Sequence, residues 1–288
     1  MIYLLTINYN SSKLIQRLIQ SLPDPNSPNY QVLIVNNSPE DQDIINLQSD
    51  NIQVLQAGKN LGFGGGCNLG IQYLAAQDHQ AIIWLLNPDT YFPTETPDHY
   101  WNVLENIWLQ QQKLAILGTT IVTPDGNPWF TKGLFNPKTG ESKDLKLFNQ
   151  DENPDQLVAS DWISGCSLML NLSRFAEIPH FDESFFLYYE DVDFCLRYRA
   201  LGYAIALCPS LKIIHQASSI TNANQYNKFF HSSFSYLYFL KKHVSYFVFA
   251  RCLLKFLINM LIKLVLQPDI GRAKYDGLIA FIKKISVV

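Results

Sequence analysis

The chain begins with MIYLLTINYN, residues 1–10, an apolar run that ends in polar side chains. Three similar runs follow, YQVLIVNN at 30–37, NIQVLQAG at 51–58 and QAIIWLLN at 80–87. Each run is short and rich in Ile, Val and Leu, and each is followed by turn residues and then by helix-like spacing. This alternation predicts an α/β fold with a central, mainly parallel sheet flanked by helices.

Polar residues recur where the predicted strands end. Ligands of parallel sheets bind at the carboxyl ends of the strands, so these residues are candidates for binding. Asn is also a common turn residue, and a single ending of this kind would need no ligand to explain it. Four such strand ends in succession favour a ligand-binding site over turn formation alone. The residues are Thr6, Asn8 and Asn10, then Asn36 and Asn37, then Asn60, and finally Asn87 and Asp89.

A glycine-rich loop, KNLGFGGGCNLG at 59–70, follows the third predicted strand. Its glycine spacing departs from the GxGxxG pattern, and it does not follow the first strand, which argues against a dinucleotide-dependent dehydrogenase. The glycines still allow the backbone to approach a ligand closely. Phe63 would act as a packing wedge, and Asn68 as a polar contact near the start of a helix. A nucleoside diphosphate fits this description.

Acidic residues crowd against aromatic ones in FDESFFLYYEDVDFCLRYRALGY, residues 181–203. Asp191 and Asp193 fall in the first turn of a predicted helix, where the helix dipole favours negative charge. This role accounts for some of the acids. The aromatic run before Glu190 could also enclose a site and raise the pKa of a carboxyl group towards that of a general base. One of these acids is therefore a catalytic candidate.

Length and composition indicate a folded protein of 288 residues with a hydrophobic fraction of 48%. These values suit one large domain, or one domain with an appendage. The five cysteines are scattered without a CxxC pair and predict neither a disulfide framework nor a zinc cluster. The first residues show neither a basic leader nor a small-residue cleavage site, so we expect no signal peptide and a cytoplasmic location.

Charge divides the chain into two parts. Ten of the 22 lysines and arginines, but only two of the 25 acidic residues, lie from Lys228 onward. Within this part, residues 246–266 are apolar except for a stripe at Arg251, Lys255, Asn259 and Lys263. Such a helix suits the surface of an anionic membrane, because charges at the bilayer centre would oppose spanning. An amphipathic helix packed on the domain itself is the alternative.

These observations predict two regions, residues 1–222 as a catalytic domain and residues 223–288 as a basic, amphipathic helical appendage associated with membrane. The expected location is cytoplasmic, at the inner face of the cell membrane. The composition favours a membrane over nucleic acid as the anionic partner.

The motifs of the chain carry a family resemblance. In order, they are TINYN, VLIVNNS, NLGFGGGCNLG, LLNPDT, DWISGCSLML, FDESFFLYYEDVDFCLR and IIHQASS. This series, from Thr6 to Ser219, resembles the family 2 glycosyltransferases with a GT-A fold, especially the rhamnosyltransferase-like branch, over roughly three quarters of the chain. The resemblance implies transfer of rhamnose or another hexose, with inversion, from a nucleotide-diphosphate donor to a hydroxyl of a glycan or lipid-linked acceptor. It also implies a role in cell-surface polysaccharide synthesis.

The resemblance also assigns roles to residues. Asp191 corresponds to the catalytic base, and Glu190 would bind the acceptor or hold the base. Asp89 and His215 would bind a divalent cation, Mg²⁺ or Mn²⁺. Trp162, Ser164, Gly165 and Cys166 would line the acceptor side. The implied donor-binding set is Thr6, Asn8, Tyr9, Asn10, Asn36, Asn37, Asn60, Gly62, Phe63, Gly65, Asn68, Asn87 and Asp89.

Two positions depart from the family pattern. Asn87 stands where the first motif position is often Asp, which implies weaker metal binding. Asn36 stands where the family usually has an Asp that accepts a hydrogen bond from a pyrimidine, so both dTDP-linked and UDP-linked donors stay open. An ordinary histidine at a strand end is the alternative for His215, and a core side chain is the alternative for Trp162.

Two other functional classes remain open at the level of sequence. One is a catalytically silent, membrane-associated protein that binds sugar nucleotides, which would need the polar strand ends but not Asp191. The other is an unrelated nucleotide-dependent enzyme such as a dehydrogenase, which would carry a cofactor detectable by absorbance or fluorescence.

Overall fold

The core of the protein is a ten-stranded sheet. The computed structural model describes residues 1–22, 30–94, 99–146, 156–216 and 224–286, so the predicted domain boundary between residues 222 and 223 lies outside the described residues. The strands are β1 (Ile2–Asn8), β2 (Tyr30–Asn36), β3 (Ile52–Gln56), β4 (Ile82–Leu86), β5 (Thr90–Tyr91), β6 (Leu114–Val122), β7 (Pro128–Phe130), β8 (Lys132–Asn136), β9 (Glu141–Leu145), β10 (Val158–Ala159), β11 (Ser167–Asn171) and β12 (Ala204–His215).

Helices cover the sheet and form the C-terminal region. They are α1 (Ser12–Gln20), α2 (Gly62–Gln77), α3 (His99–Gln110), α4 (Glu190–Ala200), α5 (Gln225–His243), α6 (Tyr246–Leu266) and α7 (Pro268–Ser286). Short 3₁₀ helices occupy Gln42–Leu47 and Leu172–Arg174.

The strand order is β10-β12-β6-β11-β4-β1-β2-β3. In addition, β5 pairs with β12 and β7 pairs with β6. Strands β3, β2, β1 and β4 are mutually parallel, as are β6 and β12, whereas β11 runs antiparallel between β4 and β6. The predicted mainly parallel sheet is thus confirmed. Because β1 to β4 run in one direction, the polar residues at their ends meet at one edge of the sheet.

Both faces of the sheet are buried, which explains why the strands are almost continuously apolar. Alternate residues of β1 point to opposite faces. Leu5 joins a core with Ile71 of α2, whereas Leu4 joins a second core with Leu18 of α1 and Leu104 of α3. The sheet therefore acts as the rigid floor that holds the loops at its carboxyl edge.

Glycines bring α2 close to the sheet. A Cβ added to Gly70 would lie 2.6 Å from Leu5 Cδ1, and one added to Gly66 would lie 2.9 Å from Ile7 Cγ2. The apparent excess of glycine in the loop of residues 59–70 thus serves helix packing as well as the site at its start.

Helix α5 is integrated into the body of the protein. Leu237, Phe239 and Leu240 are completely buried, and Phe239 and Leu240 belong to the core on the α2 side of the sheet. Helix α5 therefore packs on the domain, an arrangement that the sequence analysis raised as the alternative for residues 246–266. The helical nature of the C-terminal region is confirmed.

Helix α6 has two opposite faces. Cys252, Phe256 and Met260 are buried, and the last two pack in a small core with Leu237 of α5 and Phe281 of α7. The other residues of the helix are largely exposed and mostly apolar, with Arg251, Lys255 and Asn259 among them. Among the described helices, none has the length and apolar character needed to cross a bilayer.

Candidate active site

A cavity of about 360 Å³ lies at the carboxyl edge of the sheet, within the size range of small-molecule sites. Its walls come from the ends of β1, β2 and β4, the start of α2, the loop before α4 and the start of α5. The lining residues are Ile7, Tyr9, Asn37, Asn60, Gly62, Phe63, Asn87, Pro88, Asp89, Phe186, Leu187, Tyr188, Asn224, Asn227, Lys228 and His231.

The cavity brings together seven of the residues that the sequence predicts for the donor: Tyr9, Asn37, Asn60, Gly62, Phe63, Asn87 and Asp89. Asn37 has one side-chain atom that is bonded to the protein and one that is left for a ligand. Its Nδ2 donates to Gly62 O at 2.8 Å, while its buried Oδ1 has no partner among the described groups. Since an unpaired buried acceptor is costly, a donor group from a ligand would stabilise this arrangement.

Asn8 and Asn36 are completely buried beside the cavity and bond to protein groups. Asn8 Nδ2 donates to Asn36 Oδ1 at 2.9 Å and to Asp41 Oδ2 at 3.0 Å. Asn36 Nδ2 donates to Gln56 Oε1 at 2.9 Å. In this arrangement the two amides hold the ends of β1, β2 and β3 together beneath the site.

Four other predicted donor residues lie away from the cavity lining. Thr6 is buried on the α1 side of the sheet, and Asn10 adopts a positive φ of 49° in the exposed turn before α1. Asn68 bonds to both backbone groups of Phe181, with Phe181 N to Asn68 Oδ1 at 2.7 Å. Gly65 is buried inside α2. Asn68 thus anchors the segment that leads to the acidic loop.

The start of α2 is joined directly to the aromatic loop before α4. Gly62 has a φ of +75°, and a Cβ there would lie 2.3 Å from Phe186 O, so only glycine fits. Phe63 N donates to the same carbonyl at 3.1 Å. Two walls of the cavity are therefore linked through backbone contacts.

Asp89 and His215, which the resemblance suggests as metal ligands, lie close together in the structure. Asp89 Oδ1 lies 3.2 Å from His215 Nε2, and both side chains are buried. Residues 89 and 215 are close because β5 pairs with the end of β12, where Thr90 is opposite His215. The ring of Trp129 contacts His215 edge-on at 4.4 Å between centroids. This packing fixes the imidazole beside the carboxylate.

The pair fits a divalent cation as two of its ligands, because a carboxylate oxygen and an imidazole nitrogen are both suitable donors. His215 Nδ1 is buried without a partner among the described groups, so the hydrogen bonds of the protein leave this ring incompletely satisfied. No third His, Cys, Asp or Glu joins the pair within the described ranges. Further ligands would have to come from the diphosphate and from water.

Asp191 lies in the first turn of α4, and each of its carboxylate oxygens accepts a backbone N–H. Oδ2 accepts from Gly165 at 2.9 Å and Oδ1 from Val192 at 2.8 Å. A Cβ on Gly165 would lie 2.9 Å from Cε1 of Phe63, which lines the cavity. Asp191 is therefore fixed next to the loop that contains Gly165 and packs against Phe63, but it is not itself among the described lining residues of the cavity.

Burial distinguishes the two neighbouring carboxyl groups. Burial raises the pKa of Asp191, although the N–H groups of Gly165 and Val192 oppose this change. Burial, and then the charge of Asp191, raise the pKa of Glu190 well above its usual range. Glu190 Oε2 has no hydrogen-bond partner in the described structure. Glu190 therefore retains its proton more readily, and Asp191 is the carboxyl group of the two that ionises more readily and is available as a base.

The turn before α4 is strained. Tyr188 and Tyr189 have φ values of 70° and 66°, an uncommon conformation for bulky residues. Tyr188 lines the cavity, whereas the Tyr189 ring packs on Phe239 of α5 at 5.0 Å between centroids. This turn directs Glu190 into the interior and leaves Asp191 beside Gly165.

The predicted acceptor segment, which contains Gly165 and Cys166, bonds both to Asn87 on the donor side and to the candidate base Asp191. Asn87 N donates to Cys166 O at 3.0 Å, and the adjacent Gly165 N donates to Asp191. Ser164 is buried beside them. Trp162 packs on Phe130 at 5.0 Å between centroids and is 9% exposed. The structure thus places Trp162 mainly in the core, the alternative noted for it.

Sequence reasoning did not identify the contribution of α5. Asn224, Asn227, Lys228 and His231, all at the start of this helix, line the cavity. The available signal was the basic, aromatic character of the segment after residue 223, which we interpreted as a feature of the appendage. Their position in the site depends on how α5 packs, which local sequence does not specify.

Comparisons with known proteins agree with this architecture. Residues 3–188 match the family model described as Glycosyl transferase family 2. The chain is similar to the low-salt glycan biosynthesis hexosyltransferase Agl10 of Haloferax volcanii, with 26% identity over 74% of this chain and 66% of that protein. The chain therefore spans slightly less than two thirds of the length of Agl10.

Two rhamnosyltransferases are also similar. The N-acetylglucosaminyl-diphospho-decaprenol L-rhamnosyltransferase of Mycobacterium tuberculosis is 24% identical over 82% of this chain and 83% of its own length. The rhamnosyltransferase WbbL of Escherichia coli K12 is 22% identical over 85% of this chain and 94% of its own length.

Solved structures resemble the fold. GalNAc-T7, crystallised with UDP, GalNAc and Mn²⁺, superposes with a TM-score of 0.58 at 13% identity, covering 82% of this chain and 50% of that one. The mannosyltransferase PcManGT of Pyrobaculum calidifontis, in complex with GDP-Man and Mn²⁺, superposes with a TM-score of 0.51 at 10% identity, covering 98% of this chain and 86% of that one. With its family match over residues 3–188, this chain belongs to the family 2 glycosyltransferases, has the GT-A fold and is rhamnosyltransferase-like in sequence.

Proposed function

We propose that the protein transfers a sugar, rhamnose or another hexose, from a dTDP-linked or UDP-linked donor to a hydroxyl of a glycan or lipid-linked acceptor, with inversion. The observation that carries the proposal is the position of Asp191, whose carboxylate is held by Gly165 N–H beside the Phe63 wall of the cavity. The decaprenol-linked substrate in the name of the mycobacterial relative supports a lipid-linked acceptor in cell-surface polysaccharide synthesis.

In this mechanism Asp191 accepts the proton of the acceptor hydroxyl as its oxygen attacks the anomeric carbon. The bond between that carbon and the diphosphate oxygen breaks, and the diphosphate leaves with the bonding electrons. Gly165 and Val192 hold the two oxygens of Asp191, so the base does not have to reorient. Positioned proton removal of this kind accelerates a reaction by about a hundredfold or more.

The donor-binding half of the site uses Asn37, Asn60 and the backbone at Gly62 and Phe63. Asp89 and His215 would hold a divalent cation, Mg²⁺ or Mn²⁺. When bound, the cation offsets the negative charge that develops on the leaving diphosphate. Two protein ligands, with Asn87 in place of an acid, imply modest affinity for the metal alone.

We expect Asp89→Ala to weaken metal-dependent donor binding by roughly tenfold or more, since it removes the single carboxylate of the pair. The affinity for UDP or dTDP, measured by calorimetry with and without Mn²⁺, checks this expectation. Excess EDTA should produce the same loss in the parent protein. Asp50→Ala changes an exposed acid outside the cavity and provides the control. Full activity in excess EDTA would contradict the metal assignment.

The functional class is tested by incubating the protein with a panel of nucleotide sugars plus Mn²⁺ or Mg²⁺ and measuring released nucleoside diphosphate. Release from one donor, stimulated by an acceptor, is expected. Binding without any turnover would favour the catalytically silent sugar-nucleotide-binding protein. A bound redox cofactor, detected by absorbance, would favour an unrelated nucleotide-dependent enzyme.

We also propose that α6 attaches the protein to the inner, cytoplasmic face of an anionic membrane. Its solvent-facing side carries apolar residues between 49% and 83% exposed, namely Phe247, Leu254, Ile258, Leu261, Ile262 and Val265. Arg251 and Lys255 are exposed on the same helix, and Arg251 also donates to the backbone oxygens of Lys138 and Thr139. An exposed apolar strip with cations on the same helix matches the surface of a membrane that contains anionic lipids.

The chain should sediment with anionic liposomes at low salt and be partly released at high salt. Each basic residue near the surface contributes about 1 kcal/mol. Changing Arg251, Lys255 and Lys263 to Glu should abolish binding, whereas the same charge change at Lys13, Lys113 and Lys143 should have little effect. Equal partition to neutral and anionic liposomes would indicate a purely hydrophobic anchor. Absence of partition would indicate that α6 serves only in packing.

A further inference from the structure

The start of α5 forms a fixed wall of the donor cavity. The Asn224 side chain caps the helix by accepting from Asn227 N at 3.0 Å. The His231 ring stacks on Phe186 at 4.7 Å between centroids, and Ser235 Oγ donates to Leu187 O at 2.8 Å. These contacts join α5 to the loop that carries the strained turn before Asp191. The first turns of α5 are therefore positioned together with the catalytic loop.

The charges around the cavity are sparse. Among the described lining residues, Asp89 is the acidic side chain, and Lys228 and His231 are the basic ones. Burial lowers the pKa of His231, so the neutral imidazole is favoured at neutral pH. Lys228 is therefore the charged basic residue among the described residues of this wall. An anionic ligand in the cavity would be attracted to Lys228.

A second feature of the cavity also indicates a polar ligand. Asn37 is 2% exposed, lines the same cavity and has an Oδ1 without a described partner. The cavity therefore presents an unpaired acceptor on the β2 wall and a cation on the α5 wall. A nucleoside diphosphate offers hydrogen-bond donors on its base and sugar and negative charge on its phosphates.

We propose that Lys228 binds the diphosphate of the donor and stabilises it as a leaving group. This inference rests on the proposed function and adds a specific residue to it. The protein contributes two ligands to the candidate cation, Asp89 and His215, so the diphosphate retains charge that an ammonium can offset. Helix α5 is accordingly a part of the donor site, and Lys228 is a binding residue within it.

The test is calorimetric titration of the full chain with UDP and dTDP, with the matching monophosphates and with the nucleosides, all in Mg²⁺. Lys228→Ala should lower the affinity for the diphosphate by about tenfold or more, because a charge-assisted contact is lost. The affinity for the nucleoside should stay within about twofold of the parent value. Lys228→Arg should retain most of the affinity. Lys241→Ala, at the exposed other end of α5, is the matched control and should bind as the parent does.

The thermal unfolding midpoint of each variant shows whether a loss of binding reflects misfolding. An unchanged affinity of Lys228→Ala for the diphosphate would overturn the inference while leaving the proposed function intact. An equal loss for the nucleoside and the diphosphate would also overturn it, since the effect would not concern the phosphates. A parent protein that binds neither diphosphate would overturn the proposed function together with the inference.

Discussion

Replacing Asp191 by Asn should reduce sugar transfer by at least about a hundredfold while leaving donor binding nearly unchanged. The amide keeps the shape of the side chain and can accept one of its two backbone hydrogen bonds, but it cannot accept the proton of the acceptor hydroxyl. The loss should therefore appear in kcat, as measured by release of nucleoside diphosphate in the presence of acceptor. Calorimetric titration with UDP or dTDP checks that binding survives.

Glu190→Gln is the matched variant, because its carboxyl group is buried next to the base. We expect a smaller effect from it than from Asp191→Asn, since burial and the charge of Asp191 already favour a protonated Glu190. Near-normal turnover in Asp191→Asn with complete loss in Glu190→Gln would assign the base to Glu190.

The pH dependence of the parent follows from the same groups. A general base must be deprotonated to act, and burial raises the pKa of Asp191. The rate should therefore fall as the pH is lowered through this raised pKa, at higher pH than for an exposed aspartate. The acid limb of kcat/KM should be lost in Asp191→Asn.

The second large effect concerns stability. We expect Asp193→Ala to lower the free energy of unfolding by about 3 kcal/mol, because it removes the buried anion that three basic side chains share. Asp193 is completely buried and contacts Arg197, Lys242 and His243, each at 2.7 Å. Urea denaturation measures the change. Glu141→Ala, which breaks an exposed ion pair with Lys143, should change stability by less than about 1 kcal/mol.

The cluster also predicts how stability depends on pH. Burial opposes ionisation of Asp182 and Asp193, but their partners prevail: hydrogen bonds lower the pKa of Asp193, and those from Lys242 and Ser184 lower the pKa of Asp182 to about 2. Groups with depressed pKa values stabilise the fold above their unfolded pKa. This stabilisation is complete above about pH 4 and is lost as the pH falls towards 2. An Asp193→Ala protein that unfolds like the parent throughout this range would contradict the role of the cluster.

The sequence was sufficient to predict the parts of the fold that depend on local pattern. Apolar runs followed by polar residues predicted β1 to β4 and the edge of the sheet where Asn37, Asn60 and Asp89 meet. The apolar stretch after Ser245 predicted α6 with its observed bounds, Tyr246–Leu266. These features follow from strand and helix periodicity, which each segment carries in its own residues.

Residues that meet only through tertiary packing were harder to predict. Nothing near Lys228 in the sequence indicates that it lines the same cavity as Asn37. The position of Lys228 depends on how α5 packs, with Phe239 and Leu240 buried in the core. Likewise, Asn8 and Asn36 are polar strand ends like Asn37, but their amides bond to each other. The periodicity of a strand shows which residues lie at its end and not which partners they meet across the sheet.

The proposed reaction is a single displacement in which Asp191 deprotonates the acceptor hydroxyl and the diphosphate leaves from the opposite side of the sugar. The most direct test is the anomeric configuration of the product, determined by proton NMR from the donor that the panel identifies. A single displacement gives inversion relative to the donor, and we expect product formation to be lost in Asp191→Asn. Retention of configuration would contradict this mechanism, because a retained linkage cannot arise from one displacement with Asp191 as the base.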